Sequence, residues 1–319
     1  MVLETEEESG SANLLDLLAL AKDVIGRVDF CFCMDSGAFN YEQLWCTSSL
    51  RGVTIVDVTV SGCKTGYHSG EVGGIIPETF RVMRTLLERV DDSATGEVRL
   101  PECKVEIPEW AQKEAEFMAG LSGDMLYKKY DTLEGTQAMH QDSLKDLYLN
   151  NTWRPNLSIT GASGLPDIAV AGNVVRGATS VRLSMRLPPG CNPAQATAAI
   201  EKAMTTDVPY NLKVECHGGH EGSGWCMKDL EPWLDTSMRK AGADFFDGKD
   251  TGTYGMGGSI PFLSELGSMY PAATILALGL IGPKANAHAP NECINLTYAK
   301  KLTCALSHLI ADVGSRKNE

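Results

Sequence analysis

Apolar positions along the chain fall into two rhythms, one helical and one strand-like. Residues 12–25 (ANLLDLLALAKDVI) carry leucine at helical spacing and predict a packed helix. The run VDFCFCMD, ending at Asp35, predicts a buried strand. VTIVDVTV (53–60) alternates, which puts Val56, Val58 and Val60 on one face of a half-buried strand. Residues 77–90 set Phe80, Met83, Leu86, Leu87 and Val90 along one helical stripe. Residues 92–150 are polar and mixed, with a helix at EWAQKEAEFMAGL, and read as an insertion. Strands follow at 157–161 and within 174–187. In CNPAQATAAIEKAM, Asn192 takes the N-cap and Pro193 the first helical position, with Ala196, Ala199, Ile200 and Ala203 on one face. NLKVEC (211–216) is a further strand.

From residue 53 to 216 the order is strand, helix, strand, strand, helix, strand, which is that of a ferredoxin-like α+β unit. Beyond it, WCMKDLEPWLDTSMRKAG predicts a helix and ATILALGLI (273–281) a strand buried on both faces. A last helix repeats Leu302, Leu306, Leu309 and Val313, with Gly314 placed to close it. The expected fold class is α/β: a parallel-type sheet with helices on both faces, interrupted by the ferredoxin-like unit. No internal repeat or low-complexity segment is present.

Composition narrows the function classes. A chain of 319 residues with 43% hydrophobic content can bury a core and has room for two domains. Its net charge of −13 argues against nucleic acid as a partner, since phosphate binding needs a basic face. No apolar run is long enough for a membrane span, and the acidic start lacks the basic region of a signal peptide. The ten cysteines include no CxxC pair, and Cys31, Cys33 and Cys304 fall in apolar segments, as reduced thiols do. A cytoplasmic, reducing location is expected.

Four groups that could do chemistry share a placement. Glu7 and Glu8 precede the first helix, Asp35 ends a strand, and His288 lies just past the strand at 273–281. Carboxyl ends of strands in α/β sheets converge on a ligand crevice. Carboxylates and imidazole are the donor set for catalytic zinc or manganese, and a neighbouring carboxylate can act as base toward bound water. Spacing alone leaves plainer readings open: an acidic helix entrance for the glutamates, a turn for Asp35, a loop for His288. His68 equally fits a local backbone cap, Arg186 a surface strand charge, and GMGGS a tight turn. HGGH (217–220) has metal-like spacing, but its glycines read as a flexible exit from the central unit.

Several stretches carry a resemblance: EEESGS (6–11), MDSG (34–37), LRGV and GYHSGEVGGIIPE within 50–78, NVVRGATSVRLSMRLPPG (173–190), GMGGSIPFL (255–263) and AHAPNE (287–292). Together, and in this order, they resemble the dinuclear metallopeptidase family of cytosolic nonspecific dipeptidase and carnosinase. Aminoacylase, acetylornithine deacetylase and succinyl-diaminopimelate desuccinylase are further relatives. The resemblance implies hydrolysis of peptide or amide bonds in dipeptides or N-acyl amino acids, with two zinc or manganese ions as cofactors. It implies a catalytic domain at 1–50 and 221–319, interrupted by a lid and dimerisation domain at 51–220, and a homodimer formed through that lid. Glu7 then resembles the general base, Glu8 and His288 ligands of one metal, and Asp35 a ligand of the other. His68 resembles the lid histidine that reaches the partner subunit's site and steadies the tetrahedral oxyanion. Arg186 resembles the arginine that grips the substrate carboxylate. Asn173, Gly258 and Ser259 resemble further substrate contacts. The long insertion favours dipeptides as substrate.

The chain departs from that pattern at its start. The family's H-x-D motif and bridging aspartate precede its acidic pair, and neither is found here, so three of the five expected protein ligands are encoded. A second expectation follows, of a catalytically impaired fragment or paralogue acting as a dimerising scaffold or regulator.

Overall fold

The computed structural model describes residues 1–9, 11–140 and 142–316, without the side chains of Glu8 and Pro261. The strands among these residues are β1 (Phe30–Gly37), β2 (Trp45–Leu50), β3 (Gly52–Ser61), β4 (Tyr67–His68), β5 (Asn156–Ser163), β6 (Val174–Val175), β7 (Ala178–Leu187), β8 (Lys213–Gly222), β9 (Trp225–Cys226), β10 (Gly252–Met256) and β11 (Thr274–Ile281). They divide between two units, one of Arg51–Gly224 and one of Met1–Leu50 with the chain from Trp225 onward.

The unit Arg51–Gly224 is built on an antiparallel sheet in the order β5-β7-β3-β8. With helices Thr79–Leu87 and Pro193–Thr205 in the connections, this is the ferredoxin-like arrangement that the periodicity predicts. Val56, Val58 and Val60 are buried, and their face meets Val82, Met83 and Leu86 of one helix and Ala196 and Ile200 of the other. Each large side chain so buried contributes about 1.5–3 kcal/mol, which makes this face the unit's main source of stability. Asn192 caps its helix as expected, its side-chain oxygen accepting from the Gln195 amide at 3.1 Å. The opposite face of the sheet is polar: Arg182 on β7 donates two bonds of 2.7 Å to Asp57 on β3.

Two expectations change in this unit. Residues 217–220 lie inside β8 and are not a flexible exit. The pairing steps from Val56↔Gly218 to Thr54↔Glu221, one residue extra on β8, so the glycines accommodate a β-bulge. The insertion also holds a helix beyond the expected one at Glu109–Ser122, namely Leu144–Thr152. LKDLYLNNT has a weak apolar stripe, and the start of this helix is fixed by Ser143, whose hydroxyl accepts from the Asp146 amide at 3.2 Å.

In the other unit β1 runs parallel to β11, and β10 parallel to β2. The sheet is mixed, because β2 meets β11 antiparallel through Ala277↔Thr47 and β9 adds antiparallel to β2. Ile275 and Ala277 of β11 pack with Leu18, Leu263 and Leu266, while Leu276 and Leu278, which point the other way, are fully buried as well. Burial on both faces matches the continuous apolar run of this strand. β1 departs from its expected burial: Phe30, Cys31 and Phe32 are half-buried, and the strand continues past Asp35 to Gly37. The first helix breaks at Ala21 into Leu14–Leu20 and Lys22–Ile25. The last helix does not stop at Gly314 but runs over Leu296–Arg316.

Candidate active site

Asp35 sits on a deformed part of β1. The pairing with β11 goes from Cys33↔Ala277 to Ser36↔Gly279, so β1 carries one extra residue, and Met34 and Asp35 are turned out to solvent. A bulge re-aims side chains in this way and is common beside active sites. It also needs glycine opposite, since a Cβ on Gly279 would stand 1.5 Å from the Ser36 carbonyl oxygen. The next residue, Ser36, is buried and ties β1 to its neighbours: its hydroxyl is 2.5 Å from that of Thr47 on β2 and 3.3 Å from Met256 Sδ on β10. Met256 leads directly into the loop with Gly258 and Ser259, so Asp35 and that loop are held by one polar knot. Gly258 is exposed and Ser259 half-buried.

Glu7 opens a short 3-10 turn, Glu7–Ser9, and is half-buried. The preceding residue organises the turn: the Glu6 carbonyl accepts from the Ser9 amide at 3.0 Å and the Ser11 amide at 3.1 Å, and its carboxylate takes the Asn13 side-chain amide at 2.8 Å. The charges of Glu7 and Asp35 both act on one buried thiol. Cys33 is pushed up to about 12, first by burial and then by the negative charges of Asp35, Cys31 and Glu7, against a hydrogen bond from the Asp35 amide. Both carboxylates are thus within electrostatic reach of the same sulfur. His288 enters from the loop after β11, exposed and in the left-handed region at φ 60°. The Glu8 side chain lies outside the described residues.

Carboxylate and imidazole are the donor types that divalent ions take, so Asp35 and His288 suit a metal in kind. In number they fall short: among the described residues no group of three or more His, Cys, Asp or Glu could hold an ion. The described residues alone therefore do not fit a dinuclear centre.

In the unit Arg51–Gly224 the candidates separate into two places. Strand β4 pairs with β6 through His68↔Val174, and the Asn173 carbonyl accepts from the Ser69 amide at 2.8 Å, which sets His68 beside Asn173. Both side chains are exposed. His68 caps the turn that follows, its Nδ1 accepting from the Gly70 amide at 3.2 Å, so the local-cap reading of this residue is met. Arg186 is far from them. It pairs with Val53 and Asn156, at the other end of β7 from Ala178. Eight strand steps of about 3.4 Å separate Ala178 from Arg186, roughly 27 Å. Arg186 is half-buried and its proton is held less firmly because of that burial.

Arg51 had no role in the sequence, although it stands in the LRGV stretch. It is 7% exposed. Burial and the adjacent Arg186 charge pull it down to about 10. Nothing in its spacing marks a buried cation; only the strand register that brings it beside Arg186 does.

No family model matches the chain. A cysteinylglycine-S-conjugate dipeptidase of Corynebacterium striatum is 23% identical over 327 residues, covering 98% of this chain and 67% of its relative. The Cys-Gly metallodipeptidase dug1 of Schizosaccharomyces pombe is 27% identical over 330 residues, covering 98% and 66%. Among solved structures, human carnosine dipeptidase 1 superposes with a TM-score of 0.70 at 21% identity, covering 96% of this chain and 64% of that one. The chain shares its fold with that structure. Over nearly its whole length the chain is similar to these dipeptidases, and it spans about two thirds of their length.

Proposed function

We propose that the protein is a metal-dependent dipeptidase. The observation that supports it is the bulge of β1 that turns Asp35 outward, in a chain whose relatives are named as dipeptidases. Zinc or manganese would polarise the substrate and water, with Glu8, Asp35 and His288 as this chain's ligands. The described residues do not complete such a centre by themselves. Glu7 takes the proton of the attacking water as its oxygen bonds to the scissile carbonyl carbon, then passes that proton to the departing amine. The oxyanion formed between these events accepts a hydrogen bond from His68. With Nδ1 already occupied by the Gly70 amide, the neutral ring carries its proton on Nε2, which leaves that N–H as a donor. Arg186 holds the substrate carboxylate through its two-pronged guanidinium. Asn173, Gly258 and Ser259 serve as further substrate contacts.

The roughly 27 Å along β7 between the His68 end and Arg186 is too long for one dipeptide to bridge. His68 therefore serves a second copy's site, in a homodimer formed through the unit Arg51–Gly224. The scaffold alternative draws no support from the relatives, which are named as enzymes. The test is hydrolysis of Cys-Gly and β-Ala-His by the purified chain with manganese or zinc, followed by chromatography of the released amino acid. Glu7→Gln is expected to abolish turnover; equal turnover in that variant overturns the assignment.

A further inference from the structure

Cys103 and Cys191 are far apart in the chain but belong to one buried apolar cluster of the unit Arg51–Gly224. Cys103 ends the 3-10 turn Pro101–Cys103 and is fully buried. Cys191, also buried, directly precedes Asn192, the cap of helix Pro193–Thr205.

A sulfur links the turn to the helix start. The Cys191 thiol donates to the Glu102 carbonyl at 3.1 Å. That carbonyl belongs to the peptide bond leading into Cys103, so the Cys191 sulfur lies within about 6 Å of the Cys103 Cα. A disulfide needs its two Cα atoms roughly 4.4–6.8 Å apart, a reach of the same size. The electrostatics agree: among the charges acting on Cys103, that of Cys191 comes ahead of Glu102 and Lys104, the neighbours of Cys103 in the chain. Cys31 acts on Cys33 in the same way, but these two share a strand. The strand repeat holds side chains two residues apart at roughly 7 Å, whereas the Cβ atoms of a disulfide are about 3.8 Å apart.

Burial pushes Cys103 up to about 12 and Cys191 up to about 11, so in the finished fold neither is an effective nucleophile. Oxidation therefore belongs to the folding chain, where both thiols still meet water and the gathering core selects which two stay together. Once enclosed, the bond is shielded from attacking thiolates by the same packing.

We propose that Cys103 and Cys191 become joined by a disulfide when the chain folds in the presence of a small-molecule disulfide such as oxidised glutathione. One cysteine thiolate attacks a glutathione sulfur and expels a glutathione thiolate. The second cysteine attacks the mixed disulfide and expels another. The two protons lost by the cysteines pass through water to the two expelled thiolates, and two electrons pass from the protein to glutathione. The bond fastens the start of the insertion to the start of helix Pro193–Thr205 and closes a loop that holds β5, β6 and β7. The proposal is independent of the peptidase reading, which gives neither thiol a role.

The experiment is refolding of the full chain from urea, once with mixed reduced and oxidised glutathione and once with dithiothreitol. Remaining thiols are blocked with iodoacetamide, and the unreduced peptides are read by mass spectrometry. The peptide joining Cys103 to Cys191 is expected to be the most abundant cross-link in the glutathione arm and absent from the other. The oxidised protein should melt about 5 °C above the reduced one, because the bond restricts a long loop of the unfolded chain. Cys103→Ala and Cys191→Ala should each abolish that difference, a comparison within one variant that cancels the packing cost of the substitution. Absence of the Cys103–Cys191 peptide, or a yield no greater than that of other pairs, overturns the proposal. A melting difference that survives either substitution overturns it as well.

Discussion

His68 and Arg186 stand toward opposite ends of β7, one beyond Ala178 and the other paired with Val53. No dipeptide spans that distance. If both residues act on one substrate, they come from different copies of the chain. Mixing His68→Ala and Arg186→Ala chains and allowing them to exchange should then restore activity that neither has alone. Half of the dimers are hybrids and half of the hybrid sites are intact, so recovery should reach about a quarter of the unmutated level. Steady-state assay of the mixture checks this, and no recovery after verified exchange would mean that the two residues do not act on one substrate.

The thiols give a prediction that needs no activity. None of the ten cysteines forms a disulfide. Burial pushes Cys33 and Cys103 up to about 12, and Cys191 and Cys216 up to about 11. Thiolate is the reactive form, so at pH 8 iodoacetamide should label exposed Cys293 and Cys304 first and leave these four unmodified, as read by peptide mass spectrometry. The same shifts bear on stability. In the unfolded chain these thiols ionise near pH 9, while in the fold they stay protonated to about 11–12. Between those values the unfolded state holds fewer protons, so stability is intact below pH 9 and falls as pH rises. The loss is up to ~1.4 kcal/mol per pH unit for each thiol. Urea midpoints at pH 8 and pH 10 should differ in that direction.

How much could be seen in the sequence follows from what kind of signal each element leaves. The ferredoxin-like unit was legible because Val56, Val58 and Val60 alternate cleanly and Asn192-Pro193 marks a helix start; both are local signals. β11 was legible because burial on both faces removes every polar residue from 275 to 278. The mixed order of the other sheet was not, since strand direction depends on pairing between distant segments such as Ala277 and Thr47. The candidate site divides in the same way. Asp35 and His288 could be named from their positions after strands, but the bulge that turns Asp35 outward comes from the mismatch with Gly279 and leaves no periodicity. Arg51 leaves no local signal because its burial beside Arg186 is a matter of register alone.

That bulge is itself testable. Gly279 has no room for a side chain: its Cβ would overlap the Ser36 carbonyl, which cannot move without breaking the β1–β11 pairing. Gly279→Ala should destabilise the protein by about 3 kcal/mol, the upper range for overpacking a rigid site. Gly258→Ala, with nothing within 4 Å of the added carbon, should leave the melting temperature nearly unchanged. Differential scanning calorimetry of the pair separates a steric requirement at Gly279 from a general intolerance of alanine.

The last prediction concerns the proton on His68. A nitrogen that accepts a hydrogen bond is unprotonated, so the 3.2 Å bond from the Gly70 amide to Nδ1 selects the tautomer with the proton on Nε2. Long-range ¹H–¹⁵N correlation spectra of the neutral ring should show Nδ1 as the bare nitrogen. Gly70 lies in the first turn of the short helix Ser69–Val72, where proline is tolerated, and Gly70→Pro replaces the amide hydrogen with a ring carbon, which breaks the bond and pushes the imidazole off its cap. The nitrogen shifts should then move toward a mixture of tautomers. If the Nε2 proton is the oxyanion donor, turnover should fall with them, by at most the 10²-fold or so that loss of one such donor costs. A variant that mixes the tautomers but keeps full turnover would leave His68 as a cap for its own turn and nothing more.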